Sequence, residues 1–529
     1  MSRVRARTIS APHNGMQNCA HRSFISPRRF AIYACLCVVL AVPQGFAAAS
    51  LKSKAKNKAA TSSSNIVSAA ADKAMAKAKT LEVGADYAGA EAVITNAKSD
   101  AKNSASLKAI DGALSDLYQT WESDLVTKSD HKDAVDVANK AFVIDASRNP
   151  TRALADLNVC GEQNGLLGNY DDALAALSKA MPMAVKAGDS KSQAQILREQ
   201  GKAYGLEDKF DLAVPAFQQA LALYVKLGDV SGQAKTLTGL TASYVGQSAF
   251  DKAVASGNQA EALLPNLSDK SDGADLGLDL GRAYAGLSQW NKAIDALATA
   301  QAAYSAAGDV PDQALCIAMT GQAYEQEATW DKAAESFSEA LPLYQKTGNT
   351  AAQTTVLAGA AMCYDNLKQY ASAVAADKQE LTLLQSDQDA QVPVLCDIGV
   401  DDLRLHDCSD ALDAYTRVLA QAQLTNNNAQ IAQAYVGIGV SNQGLDKPAE
   451  AIDAYQKALP LFDQLGDNSD TATVLLNIGA AQDEQDQYQS AMNTYDKALV
   501  AAQAAGDQDE IDAANSRINA ELQNLLPQQ

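Results

Sequence analysis

Histidine is nearly absent from most of this chain. Of the four in 529 residues, only His131 and His406 lie beyond residue 50, too far apart in a modular chain to share a nucleophilic site. The sequence also lacks a GxxxxGK[ST] phosphate loop, an HExxH pair and any Cys/His cluster at zinc spacing. Cysteine is sparse. Beyond residue 50 only Cys160, Cys316, Cys363, Cys396 and Cys408 remain, an odd number with no pair at CxxC spacing. They read as small apolar residues for helix packing, with a single bridge among them left open. Aromatics make up 6% and there are 13 prolines, whereas apolar residues reach 47%, leaning on alanine. That composition favours helices packed through small side chains.

Positive charge is short as well: 43 Lys and Arg face 63 Asp and Glu, for a formal net charge of −20. Arg3, Arg5, Arg7, Arg22, Arg28 and Arg29 precede an apolar run, so the chain after them holds 37 basic residues against the same 63 acids. Such a surface repels phosphate backbones, and no basic stripe offsets it, so no nucleic acid is expected as a partner. The apolar run Phe30 to Val42 stops at Pro43, well short of the about 20 residues a bilayer span requires.

A basic start without Asp or Glu, that apolar run and the small residues Ala47, Ala48 and Ala49 form a signal-peptide pattern over residues 1–49. Cleavage near Ala49 is expected, a retained anchor being the alternative, with Met16 as a possible later start. A lipoprotein reading through Cys35 or Cys37 would cut the apolar core in half. The mature chain is therefore expected to be exported, periplasmic or extracellular, with no integral membrane span. Residues 50–65, rich in Lys, Ser and Ala, read as a flexible linker.

Sliding the chain against itself by about forty residues aligns a motif of aromatic, Asp or Asn, any residue, alanine. Tyr170-Asp171-Asp172-Ala173, Phe210-Asp211-Leu212-Ala213, Phe250-Asp251-Lys252-Ala253, Trp290-Asn291-Lys292-Ala293 and Trp330-Asp331-Lys332-Ala333 carry it, and Ala373, Ala411, Ala451 and Ala491 continue the alanine. Ala134 and Ala90 extend it backwards, for about eleven copies over residues 66–506. Twelve residues before the alanine stands an anchor: Gly161, Gly201, Gly281, Gly321, Gly399, Gly439 and Gly479, with Thr241 and Ala361 in the same slot. Three residues after the anchor come Tyr204, Tyr244, Tyr284, Tyr324 and Tyr364. Further alanines recur seven after the motif alanine, as at Ala180, Ala220 and Ala300.

The pattern implies two helices per unit. A glycine anchor lets a neighbour approach the first helix closely, recovering the roughly 1 kcal/mol that glycine costs inside a helix. Alanines spaced by seven share one face of the second helix. The Asp or Asn after the aromatic is expected to act as N-cap of that helix. Gly188, Gly228, Gly308, Gly348, Gly466 and Gly506, each followed by Asp or Asn, are expected to end it in a left-handed cap. Pro182, Pro342 and Pro460 fall inside the second helix, where a kink is expected. Cys408 and Pro448 replace the aromatic, and Asp377 and Glu380 replace packing residues, so packing is expected to be weakest near Ala373. Residues 507–529 read as a capping helix and tail.

These residues resemble the tetratricopeptide repeat, in the longer form seen in kinesin light chains, since family repeats are typically about 34 residues. The resemblance implies an all-α, right-handed superhelical solenoid of antiparallel helix pairs that binds protein or peptide partners on its concave face. That face is lined, in the family, three before, one after and four after the anchor. Carried onto this chain, the larger side chains there are Arg198 and Lys202; Leu278 and Arg282; Gln322 and Glu325; Met362 and Asp365; Cys396, Val400 and Leu403; Val436, Val440 and Gln443. A peptide with acidic residues at one end and an apolar anchor at the other would complement that row. No copy has Lys three before the anchor or Asn one after it, so capture of a C-terminal carboxylate in the family's manner is not expected.

No cofactor, metal or catalytic activity is expected. The segment Asp269 to Asp275 fails as a calcium loop, because Ala274 stands where the turn glycine is needed and Leu280 where a bidentate Glu is needed. The expected function is an exported protein-interaction scaffold, the alternative a structural or self-associating envelope protein without a discrete ligand.

Overall fold

The computed structural model describes residues 69–101, 103–264, 271–385 and 387–525. The expected signal peptide and linker lie outside the described residues, as do Asp269 and Lys270. The described residues form 23 helices and no strand, in two compact units divided between Ala307 and Gly308.

The N-terminal unit is a series of six helix pairs: α1 (Ala69–Val83) with α2 (Tyr87–Asp100), α3 (Ser104–Thr127) with α4 (His131–Asp145), α5 (Pro150–Leu166) with α6 (Tyr170–Ala187), α7 (Ser190–Leu206) with α8 (Phe210–Leu227), α9 (Val230–Gly246) with α10 (Phe250–Glu261), and α11 (Ser271–Gly286) with α12 (Trp290–Ala307). The C-terminal unit holds five more: α13 (Val310–Gln326) with α14 (Trp330–Thr347), α15 (Thr350–Asn366) with α16 (Tyr370–Leu383), α17 (Gln388–Arg404) with α18 (Cys408–Leu424), α19 (Asn428–Gly444) with α20 (Pro448–Leu465), and α21 (Asn468–Asp483) with α22 (Tyr488–Ala505). A single helix, α23 (Gln508–Leu525), follows.

The anchor glycines are where the two helices of a pair meet. A Cβ placed on Gly201 would come within 2.9 Å of the Phe217 ring, and one on Gly161 within 2.5 Å of Leu177. The same ring serves the next pair, since Phe217 also fills the space over Gly239. The aromatic that opens the motif reaches forward too: Phe210 covers Gly246 and Phe250 covers Gly286. Cys408, in that slot, brings its Sγ against Gly444. The lysine of the motif has a role the spacing did not suggest. Lys252, Lys292 and Lys332 lie over the rings of Tyr244, Tyr284 and Tyr324 at 5.8, 5.5 and 5.2 Å, cation–π contacts that tie second helix to first.

The helix ends correct one expectation. The Asp after the aromatic does not cap its helix: α8 is preceded by Lys209 and α14 by Thr329, neither with a side-chain cap bond, and Asp211 and Asp331 sit inside the first turn. An acid there favours the helix dipole without satisfying an orphan amide in the manner of a cap. Capping falls instead to the residue after each terminal glycine. Asp189, Asp229, Asp309, Asn349 and Asp467 each accept a bond from the amide three residues on. Gly188, Gly228, Gly308, Gly348, Gly466 and Gly506 take φ between +66° and +74°. One Gly-Asp or Gly-Asn pair thus closes a second helix and opens the next first helix.

Helices α6, α14 and α20 continue through Pro182, Pro342 and Pro460, all on the exposed side, where water can serve the carbonyl each proline frees. Around Ala373 the second helix α16 ends at Leu383 without a glycine cap, and Asp377 and Glu380 are buried in it. All five cysteines of the described residues are free thiols, four of them buried.

Candidate functional site

First helices pack against the first helix of the next pair, as α5 with α7, α7 with α9 and α9 with α11 in the N-terminal unit, and α13 with α15, α17 with α19 and α19 with α21 in the C-terminal unit. No two second helices of the described residues pack as closely. The first-helix row is therefore the inner side within each unit, and all fourteen candidate residues lie on first helices.

In the N-terminal unit that row does not present a free basic patch. Arg198 pairs with its neighbour Glu199, and Arg282 Nη1 donates to Asp279 Oδ1 at 3.0 Å. Burial draws the Lys202 ammonium below its ordinary pKa, opposed by the charges of Glu199, Glu162 and Asp275. Glu162 is pushed up by burial and by Glu199. Asp275 also accepts from the Tyr304 hydroxyl at 2.7 Å. Leu278 is 2% exposed and belongs to the core. The cations expected to meet an acidic peptide end are thus already met by carboxylates of their own chain. The lining offsets passed over Glu199, adjacent to Arg198, and Asp279, at the i,i+3 spacing from Arg282 that pairs side chains on one helix face.

The same unit holds a buried acidic group that the repeat pattern missed. Glu122, 9% exposed, occupies the anchor slot of α3, twelve residues before Ala134. Burial and the charge of Asp156 push its carboxyl up to about 8, and Asp156, buried near Asp145, is pushed up to about 7. Nearby, a cavity of about 420 Å³ is lined by Lys108, Asp111, Ser115, Asp145, Arg148 and Arg152 among others. Its arginines are committed, Arg148 to Asp111 and the Lys108 carbonyl, Arg152 to Asp116 and Ser115.

Residues 152–226 and 430–504 match the family model described as tetratricopeptide repeat. The chain carries tetratricopeptide repeats. No curated protein matches it in sequence. Among solved structures, the apo form of RapI is 11% identical over 67% of this chain and 99% of its own, with a TM-score of 0.44. A Rap protein complexed with Competence and Sporulation Factor is 13% identical, covers 67% and 99%, and gives a TM-score of 0.33. A putative kinesin light chain from Podosopora anserina, with nearly identical TPR-like repeats, is 17% identical over 37% and 95%, with a TM-score of 0.30.

On the first helices of the C-terminal unit, Gln322, Met362, Asp365, Cys396, Val400, Leu403, Val436, Val440 and Gln443 are half-buried, and Glu325, 8% exposed, is buried. Arg404 joins Asp365 to Asp401 and lies 5.1 Å from the Tyr370 ring centroid. Burial, with Asp365 beside it, pushes the Asp401 carboxyl up to about 7. Gln443 accepts from the Tyr455 hydroxyl at 3.2 Å and donates to Glu484 at 2.7 Å. Burial pushes the Cys396 thiol up to about 12, so it stays protonated and works as an apolar surface. No group of three or more His, Cys, Asp or Glu side chains among the described residues is placed to hold a metal, and no helix among them is long and apolar enough to cross a membrane.

Proposed function

We propose that this chain is an exported scaffold that holds a protein or peptide partner against its first-helix rows. One observation carries the reading: positions that stack helices repeat, and positions on the inner row do not. The anchor slot is glycine in seven copies, while three residues before it stand Arg198, Cys396 and Val436. Stacking leaves those side chains undetermined, which is what a surface shaped for a ligand requires. Export rests on the basic start, the apolar run Phe30 to Val42 and the small residues at Ala47 to Ala49.

The test is site-specific photo-crosslinking in native cells, with a photoreactive residue at Gln322 or Val440 on the inner row and at Glu335 or Asp453 on the outer second helices. Adducts to one protein from the inner positions support the reading, and adducts from the outer positions alone overturn it.

Self-association is a second reading, favoured by Val185 and Val225, which occupy the same place on α6 and α8 and are 59% and 58% exposed. Sedimentation velocity separates the two. If this second reading holds, the chain forms oligomers that Val185→Asp with Val225→Asp dissolves; a concentration-independent monomer excludes it.

A further inference from the structure

Some joints between successive helix pairs are closed by a ring held between two glycines. Phe217 lies between Gly201 and Gly239, Phe337 between Gly321 and Gly359, and Tyr415 between Gly399 and Gly437. At the corresponding places of the joint formed by α3, α4 and α5 stand Glu122, Ala138 and Cys160, all buried. A carboxyl, an alanine methyl and a thiol thus take the places of glycine, ring and glycine.

The apolar core parts at this joint. Leu114, Leu117 and Leu125 of α3 pack in one cluster with α1, α2 and the Val137 side of α4, whereas Leu154, Leu157 and Cys160 of α5 pack in another with Ala138 and α6. Among neighbouring first helices of the N-terminal unit, α3 and α5 also pack least closely, while α4 packs against both. One end of the seam between them holds the cavity that Ser115 of α3 and Arg152 of α5 help to line. At the other end stand Glu122 and Asp156. Gln119 of α3 bonds the Asp156 carboxyl, yet neither Asp156 Oδ2 nor Glu122 Oε2 has a hydrogen-bond donor among the described residues.

The charged and titratable groups that act on this pair, or on Cys160 beside it, come from three helices. Asp145 of α4 adds a third buried carboxyl, whose oxygens accept from Ser115 at 2.9 and 2.8 Å. Arg152 of α5 opposes the acids but is bound to Asp116 and Ser115, and Lys179 of α6 acts on Cys160. Protonated, Glu122 and Asp156 are neutral and their missing donors cost little. Ionised, they are two like charges in a seam that offers them too few donors, and letting water in relieves both.

We propose that the seam between α3 and α5 is a pH-responsive joint of the stack, closed while Glu122 and Asp156 are protonated and open to water once both are ionised. The second helix pair swings on α4, which is packed to both neighbours. The joint is independent of what the chain binds. Both carboxyls are raised in the folded chain, to about 8 and about 7, so closure is favoured at acid pH and is lost as pH rises through that range.

Alkylation of the full chain's own cysteines by iodoacetamide, mapped by mass spectrometry, tests this. Cys160 reports on the seam. Cys363, buried in the C-terminal unit, is the reference, because burial foremost pushes both thiols up to about 12. The ratio of the Cys160 rate to the Cys363 rate is expected to rise at least about tenfold between about pH 6 and about pH 9. Glu122→Gln with Asp156→Asn is expected to hold that rise below about twofold, and Glu122→Gln alone to cut it by about threefold or more. Amide exchange of α7 and α8, corrected for the intrinsic effect of pH, is expected to stay unchanged over the same range. Circular dichroism and thermal midpoints establish that the variants fold, and the wild-type ratio decides by itself where one does not. A flat wild-type ratio, an undiminished rise in a folded variant, or loss of protection in α7 and α8 together with the seam overturns the proposal.

Discussion

The ring of Tyr455 lies against Gly439 so closely that a Cβ on the glycine would come within 2.3 Å of it. The tyrosine is fully buried, and its partner sits sixteen residues earlier on the other helix of the pair. Anchor and ring are therefore one packing unit, and each explains why the other recurs.

Gly439→Ala is expected to destabilise the C-terminal unit by about 1–3 kcal/mol through overpacking, and Tyr455→Ala by about 3–5 kcal/mol through the cavity it leaves. The two are coupled: with Tyr455 truncated, the extra methyl has room, and the cost of Gly439→Ala should largely vanish. Denaturant unfolding of the four proteins in a double-mutant cycle checks this, and simple additivity would contradict it.

Caps provide a second comparison. Asp467 accepts from the Asp470 amide at 3.0 Å, whereas Asp331 lies in the first turn of α14 without a cap bond. Asp467→Ala is expected to cost about 1 kcal/mol and Asp331→Ala only a few tenths. Thermal unfolding measures both.

The turns between first and second helix hold left-handed residues that are not glycine. Ala328 has φ +54°, while Gly466, at the end of α20, has φ +71°. Ala328→Gly should raise stability by up to about 1 kcal/mol, and Gly466→Ala should lower it by about 1 kcal/mol, each read from the unfolding midpoint.

Stability of the N-terminal unit depends on pH through Glu122. Its folded-state pKa, about 8, lies above the ordinary carboxylate value, so the folded chain keeps a proton that the unfolded chain releases. The associated stability is present at acid pH and is lost as pH rises from about 4.5 towards 8. Glu122→Gln should therefore gain up to about 4 kcal/mol over wild type at pH 8 and little at pH 4. Amide hydrogen exchange of α3 and α5 at the two pH values reads this, and equal protection gains at both would contradict it.

The helix pairs were legible because period, anchor and terminal glycine express backbone and packing constraints that one residue satisfies at every copy. Gly201, Tyr204 and Gly228 occur where stacking demands them. Capping was misplaced because Asp211 and Asp229 are equally good cap residues, and which one sits at the helix boundary depends on where the chain turns. In Asp211's case the left-handed Asp208 starts the helix at Phe210. Candidate inner-row residues followed from the register, but their electrostatics did not. Register places Arg198 and Arg282 on the row, but the lining offsets left out Glu199 and Asp279, which stand one and three residues away on the same helices and pair with them. Glu122 escaped notice because an acid in a glycine slot leaves no periodic trace.

The most direct test of the account is amide hydrogen exchange of the chain alone and with the partner captured by inner-row crosslinking. The account predicts slowed exchange on first helices, α15 to α21 foremost, with the second helices unchanged. Slowing confined to the second helices, or none anywhere, would contradict it.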